Sequence, residues 1–436
     1  MSRITDIPIH VYGERDEQAV SQIETCATAG SGVAAALMAD HHVGYSQPIG
    51  GVVAYSDHVS ISGVGYDQAC GNKAVKTNLR AADIPVRPIM NEVFRRVSFG
   101  IGRKNDEPVE HPVLEEISAA EFSPQRTLYQ KAAAQLGTVG SGNHYVDLFE
   151  DEDGWLWIGV HFGSRGFGHN TTTGFLALAQ GLSWGDKASA GEMHSPPVLL
   201  EVDSELGQAY LTAHALCSEY AYAGRDIVCD KVLEIVGAES VDEVHINHND
   251  ARLEEHDGRK LWVVRKGATP AFPGQRGFIG GSMGDNAVIV EGVGHPTSRD
   301  ALYSTIHGAG RVMSRTKAAG RWRKRWVCGD RDCDTIIETG SPGETPGKGS
   351  CSRHPRARPR KVRMRVGGAV DWPSVQAEMV RKGIELRGGG AEEAPGVYKR
   401  LPEVLAAHEG QIRVLHTLRP IGVAMADANE HDPYKD

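Results

Sequence analysis

No apolar run in this 436-residue chain is long enough to cross a bilayer, so a helical membrane protein is excluded. The opening residues MSRITDIPIH lack a basic start and an apolar stretch; no secretory signal is expected, and the cytoplasm is the expected compartment. An even cysteine framework is lacking too. Seven cysteines suit reduced thiols or metal ligands better than disulfides. Basic excess is absent, and a net charge of -9 argues against generic nucleic-acid binding through overall charge while leaving room for a local basic cleft. No glycine loop ends in Gly-Lys-Ser/Thr, which argues against a P-loop ATPase. No internal repeat is found.

What is present suits a packed core, with 40% apolar residues and 52 glycines. By length the chain is two or three domains, or one large glycine-rich body. A helix is predicted over Glu17 to Ala27, a second over Pro124 to Leu136, and the longest over Asp203 to Val236. Strands are predicted at Ala74 to Leu79, Tyr145 to Leu148, Leu156 to Val160, Leu261 to Val264, Ala287 to Val290 and Ile412 to His416. The expected class is α+β.

The segment GVGYDQACG places Asp67 three residues before Cys70 in a glycine-rich loop. A thiolate beside a carboxylate is stable only with a cation between them, so the pair is a metal-ligand candidate. As an isolated pair it reads more readily as a turn-capping Asp and a small buried thiol. Three histidines decide between the two. LGTVGSGNHYVDLFED sets His144 at the mouth of a strand, WLWIGVHFGSRGFGHN runs an apolar strand into His161, and VHINHNDARLEEHDG sets His248 beside Asn249. All lie at strand-to-loop junctions, the usual address of functional groups. Imidazole, carboxylate and thiolate together suit Mn, Zn, Co or Fe rather than Ca or Mg. One cysteine bridging two such ions would use every group named, in the two-metal arrangement that activates phosphoryl oxygens.

Two further segments point to nucleotide chemistry. RKGATPAFPGQRGFIGGSMGDN carries Arg265, Lys266, Arg276 and the loop Gly280, Gly281, Ser282, Met283, Gly284, whose amides suit phosphate or a base edge. STIHGAGRVMSRTKA sets His307 among small residues, with Arg311 and Arg315 four apart on a helix predicted to follow. A histidine so placed is a candidate nucleophile, and nearby guanidinium groups stabilise a phosphoryl transition state.

The motifs MADHHVGYSQPIGGVVA, GVGYDQACG, LGTVGSGNHY, HFGSRGFGH, HNDARLEEH, RKGATPA, GGSMG, STIHGAGRVMSR and EEAPGVYK resemble the RtcB RNA-splicing ligase family, in the family's order, over roughly residues 35 to 425. The resemblance implies a single large catalytic body of mixed β-sheets flanked by helices. It implies an RNA ligase that joins a 3'-phosphate or 2',3'-cyclic phosphate end to a 5'-hydroxyl end with GTP and two Mn(II) ions, in RNA repair or tRNA splicing. Asp67, Cys70, His144, His161 and His248 would be the metal ligands, with Cys70 the bridge, and His307 the residue that takes GMP. Asn143, Asp147, Asn249, Gly281, Ser282, Met283 and the segment His307, Gly308, Ala309, Gly310, Arg311 would hold the nucleotide. Arg165, Arg265 and Lys266 would face phosphate or RNA. RNA ends, and DNA ends as a second candidate, are the expected partners, with an archease-like activator; a monomer is expected.

Several positions depart from the family pattern. Asp147 stands where the family has Glu, Gly280 where it has Pro, and Met38-Ala39-Asp40-His41-His42 replaces Met-Pro-Asp-x-His. Met425 stands about where the family has a guanylate-contacting lysine, and Lys435 lies well beyond it. A degenerate paralogue that binds ends or hydrolyses phosphates without ligating is the alternative reading. The stretch 320–366 reads as an insertion between core parts 1–319 and 367–436. It carries thirteen Lys or Arg against five Asp or Glu, suited either to a nucleic-acid backbone or to a solvated loop. Within it Cys328, Cys333, Cys351 and His354 loosely resemble a small structural zinc site.

Overall fold

The computed structural model describes residues 7–188, 193–333, 335–341 and 344–428. Lys435 lies outside them. Mixed helices and sheets confirm the α+β class. The helix Glu17–Ala27 begins where Asp16 accepts hydrogen bonds from the Gln18 and Ala19 amides at 2.9 and 3.3 Å. The helix Glu205–Val236 is capped by the Ser204 hydroxyl, which accepts from the Gly207 amide at 3.0 Å. It stops at Gly237, whose left-handed φ of 74° lets its amide reach Leu233 O at 2.8 Å. The predicted helix over Pro124 to Leu136 is two short ones, Ser123–Arg126 and Tyr129–Gln135. Thr127 turns its hydroxyl back to Pro124 O at 2.6 Å, giving the backbone a partner other than the helix ladder.

Two large sheets carry the molecule. One has the strand order Ile9–Val11, Gly32–His42, Ile49–Tyr55, Arg259–Lys266, Asn249–His256. The other runs Arg276–Ile279, Ala287–Gly292, Ile412–Asp427, Tyr145–Glu150, Trp155–Phe162, Gly71–Arg80, Ser240–Asn247, with Glu385–Gly389 added beside Ile412–Asp427. Arg276 on its first strand pairs with Asp242 on its last at 2.7 Å, so this sheet nearly closes into a barrel. Each predicted strand is present and longer than predicted.

The long helix joins the two cores. Its Tyr210 and Ala213 pack with Val53, Tyr55 and Ile23 under the first sheet. Its Val228, Cys229 and Val232 pack with Ile158, Val160 and Phe162 under the second. Burying an aliphatic or aromatic side chain of this size contributes roughly 1.5–3 kcal/mol, so the helix fixes the sheets against each other. His248 is the corner at which the chain leaves Ser240–Asn247 in one sheet and enters Asn249–His256 in the other.

The described residues of the stretch 320–366 include regular strands. Its strands Arg321–Val327, Ile336–Ile337 and Arg360–Val366 form a separate three-stranded sheet. Among the described residues no helix is long and apolar enough to cross a membrane.

Candidate active site

The two sheets leave a cleft of about 620 Å³ between them, lined by Asp67, Cys70, His144, His161, His248 and His307 among others. Such a volume suits a small-molecule ligand. The Cys70 amide bonds Asp67 O at 3.2 Å, and this tight turn aims both side chains at one point. Cys70 O accepts the His248 amide at 2.8 Å, which ties the sheet corner to the same turn.

The ligand atoms of Asp67, Cys70 and His144 lie within 4.8 Å of one another, and so do those of Cys70, His161 and His248. Cys70 belongs to both triplets, the geometry required of a thiolate shared by two cations. Its Sγ is 3.5 Å from His161 Nε2 and 3.7 Å from His144 Nε2, and Asp67 Oδ2 is 3.0 Å from that same His144 nitrogen.

The outward nitrogens are held from behind. His161 Nδ1 lies 2.5 Å from Asn72 Oδ1, and the Asn72 amide nitrogen donates to Phe278 O at 2.8 Å, which fixes the oxygen as the acceptor. His161 therefore carries its proton on Nδ1 and presents a bare Nε2. His144 Nδ1 lies 2.9 Å from Val139 O and 3.2 Å from the Arg165 guanidinium, which fix the ring so that Nε2 faces Asp67 Oδ2. His248 Nδ1 is buried without a partner among the described residues.

Electrostatics suit cations in the same place. Burial, and then the neighbouring imidazoles, push His161 and His248 well below the usual histidine range, so both are neutral ligands. Burial, and then the Asp67 carboxylate, push the Cys70 thiol well above its ordinary value. Burial raises Asp67 too, but the hydrogen bond and charge of His144 outweigh it and leave the carboxyl ionised. Without a cation this thiol stays protonated; with one it becomes a ligand. The donor set therefore fits a pair of divalent transition ions.

His307 stands at the cleft end of the strand Ser304–Ile306, its ring 4.9 Å from that of His248. Its Nδ1 donates to Asp40 Oδ2 at 2.6 Å. Burial raises Asp40, but pairing with His307 overcomes this and holds the acid below its usual value. Its Nε2 lies on the opposite side of the ring from Asp40.

Arg311 and Arg315 do not share a helix, because the one that follows covers only Arg315–Ala319. Arg311 instead bridges Tyr398 in extended backbone, and both guanidiniums reach Glu393, at 3.2 and 3.1 Å. Asn143, Asp147, Asn249, Lys266 and the segments Gly281 to Met283 and His307 to Arg311 line the cleft. Asn249 spans it as a strut, accepting from Gly267 N at 2.7 Å and donating to Asp67 O at 3.0 Å.

Arg265 is not brought to the cleft. Its side chain is fully buried, paired with Glu254 at 2.5 Å and bonded to Leu302 O. Arg165 sits behind the site, packed on Gly140, where a Cβ would lie 1.7 Å from its guanidinium. Asp147 Oδ1 is buried with no partner among the described residues, and burial pushes its carboxyl well above the usual range.

Sequence reasoning gave no role to Asp40, Asn72, Glu393 and Arg225. Arg225 is fully buried and donates to Ala69 O at 3.0 Å, Phe162 O at 2.7 Å, Asn247 Oδ1 at 2.5 Å and His245 Nε2 at 2.8 Å. These acceptors flank Cys70, His161 and His248 in sequence, so one cation holds three ligand-bearing segments together. Its one sequence signal is a charged residue on the apolar side of the long helix.

A model of the family "tRNA-splicing ligase RtcB" matches residues 22–124 and 115–339. A tRNA-splicing ligase RtcB of Archaeoglobus fulgidus is 30% identical over 96% of this chain and 94% of its own length. The Thermococcus kodakarensis protein of that name is 29% identical over 89% of this chain and 86% of its length. An RNA-splicing ligase RtcB of Escherichia coli is 33% identical over 65% of this chain and 75% of its length.

Proposed function

Because the chain belongs to the RtcB family, we propose that it is an RNA ligase joining 3'-phosphate or 2',3'-cyclic phosphate ends to 5'-hydroxyl ends with GTP and Mn(II). The observation that carries this reading is His307, half-buried beside the donor cluster with Nδ1 held by Asp40. Asp67, Cys70, His144, His161 and His248 would hold two Mn(II) ions, which neutralise phosphate oxygens during transfer.

The chain's own part is positional and electrostatic. Asp40 keeps the proton on Nδ1, so Nε2 attacks the α-phosphorus of GTP; a P–N bond forms and pyrophosphate leaves. Asp40 also offsets the positive charge that grows on the imidazole. Lys266, Arg311 and the Gly281–Met283 amides line the cleft and would hold phosphate and base. GMP then passes to the RNA 3'-phosphate, and the 5'-hydroxyl displaces it; a cyclic end is opened first. RNA repair or splicing in the cytoplasm, by a monomer with an archease-like activator, completes the proposal.

Incubation with labelled GTP and Mn(II) should leave acid-labile, base-stable label on His307. If His307→Ala labels as strongly as the parent, the assignment is wrong. A second reading, a paralogue that binds or trims ends without sealing, is favoured by the unsatisfied Asp147 Oδ1 and the apolar Met425 in the cleft. A cleaved RNA hairpin offered with both ends separates the two: sealed product supports the first, and label on His307 without sealing supports the second.

A further inference from the structure

The stretch 320–366 plays no part in the site above, yet it carries a second cluster of metal donors. Cys328, Cys333, Cys351 and His354 have ligand atoms all within 4.8 Å of one another, and the three cysteines are buried. Cys333 and Cys351 Sγ are 3.9 Å apart, and Cys328 Sγ lies 3.7 Å from His354 Nδ1. A disulfide needs sulfurs at about 2.05 Å. Tetrahedral zinc, with Zn–S about 2.3 Å and Zn–N about 2.0 Å, sets its donors roughly 3.5–3.8 Å apart along each edge. The observed distances fit the metal and not the disulfide. The backbone makes two tight turns to present the donors: the Cys333 amide reaches Asp330 O at 3.4 Å, and the His354 amide reaches Cys351 O at 3.2 Å.

The sheet also needs such a staple. Its apolar kernel is the three cysteines and Ile337, with Trp326 and Ala357 packed against them. Units of this size rarely hold together on so small a core without a metal or disulfides.

The arm so formed grows from the cleft. Arg315 lines the cleft, and the strand Arg321–Val327 leaves Gly320 just beyond the helix Arg315–Ala319. Arg360–Val366 returns antiparallel to it, and Arg365 anchors on Glu392 at 3.6 Å, beside the Glu393 that holds Arg311. Seven residues of strand reach roughly 24 Å, with the cysteine cluster at the far end.

Side chains alternate across the sheet. One face stacks its cations on Trp322 and Trp326. The other presents Arg321, Arg323 and Arg325 with Arg360 across from Val327, all exposed and, among the described residues, without a carboxylate partner. Alternate residues of a strand stand about 6.8 Å apart, so these arginines make a basic stripe running from the cleft rim to the tip.

We infer that Cys328, Cys333, Cys351 and His354 bind a structural zinc ion that holds this arm, and that its arginine stripe grips the backbone of the RNA whose end enters the cleft. The identity of the polymer as RNA rests on the function proposed above; the zinc does not. Guanidinium groups favour phosphate bidentately, and their release of counterions makes the grip salt-dependent.

The test uses the full chain, its zinc content after exchange into Mn(II) buffer, and the anisotropy of a labelled single-stranded RNA ending in a 3'-phosphate. The parent is expected to carry one zinc more than Cys333→Ser/Cys351→Ser, while His354→Cys, which supplies a fourth thiolate, keeps it. Equal zinc in parent and double variant, or a Cys333–Cys351 disulfide in the parent, overturns the metal site. Arg323→Glu/Arg325→Glu keeps the zinc and is expected to bind RNA at least about tenfold more weakly, with a log–log salt slope smaller by about 1.4. Unchanged affinity and slope in that zinc-replete variant overturn the RNA grip. Labelling of His307 by GTP needs no RNA and should be equal in all these proteins. Its absence from all of them would sink the ligase reading while leaving zinc and RNA binding still measurable.

Discussion

One carboxylate oxygen of Asp40 accepts three hydrogen bonds from the loop of His307, 267 residues away: from His307 Nδ1 at 2.6 Å, His307 N at 2.9 Å and Gly308 N at 3.3 Å. The ring is thereby fixed in tautomer and in direction at once.

Asp40→Asn should keep the fold, since an amide oxygen can still accept, but it removes the charge that offsets a developing imidazolium. The single-turnover rate of GTP labelling on His307 is expected to fall roughly 10²- to 10⁴-fold, by analogy with other histidine–aspartate pairs. A variant that labels at the parent's rate would show that Asp40 is only a packing residue.

Cys70→Ala removes the donor common to both triplets, whereas Asn72→Ala removes only the group behind His161. Bound manganese should be lost in the first. In the second, Mn(II) affinity should weaken by about 10- to 100-fold, measured by titration calorimetry. Equal losses in the two would count against Cys70 as a shared ligand.

Arg225→Met strips four acceptors of their donor in the interior. Unsatisfied buried groups cost about 1–3 kcal/mol each, and part of this is recovered by relaxation. A destabilisation of at least about 3 kcal/mol, seen as a lower melting temperature, should be accompanied by weaker Mn(II) binding. A stable variant with intact metal affinity would remove Arg225 from the account.

Lys266 is buried with its ammonium on Tyr45 O at 2.5 Å, and desolvation lowers its pKa from 10.5 to about 8. Between pH 8 and 10.5 the unfolded chain therefore binds the proton more readily than the folded one, and stability should rise with pH over that window. The gain, 10.5 − 8 = 2.5 pH units, amounts to about 3 kcal/mol. Denaturant midpoints of the parent should climb relative to Lys266→Met from pH 8 upward; parallel curves would contradict the burial.

Met425 pairs across from Tyr145 on the strand next to Asp147, so their side chains share the cleft face. Met425→Lys should set a cation beside the buried Asp147 carboxyl, which burial pushes above its usual range, and favour its ionised form. Discrimination for GTP over ATP in the labelling reaction is expected to rise about tenfold, in line with a charged hydrogen bond of about 1.5–3 kcal/mol. No change in that ratio would place the base elsewhere.

The metal-donor cluster was legible because its members announce themselves locally: Asp67 and Cys70 share one turn, and each histidine ends or begins a strand. The long helix was legible from its periodicity and from Ser204 and Gly237 at its ends. Asp40, Asn72 and Arg225 were not, because each works through partners distant in sequence. Arg311 and Arg315 show the converse. The helical spacing of RVMSR yields to pairing of Arg311 and Val312 with Tyr398 and Val397, a tertiary contact that overrides local preference. Arg265 and Asn249 look alike to a reader seeking polar cleft residues, and only their partners reveal one as a buried ion pair and the other as a strut.

The separation of Asp40 from His307 also sets a timetable. At about 5–20 residues per second, a ribosome needs roughly 15–50 s to pass from one to the other. The segments bearing Asp67, Cys70, His144, His161 and His248 all emerge within that interval. Metal capture can thus precede the arrival of His307, and a chain cut short before it would lack the proposed nucleotide acceptor.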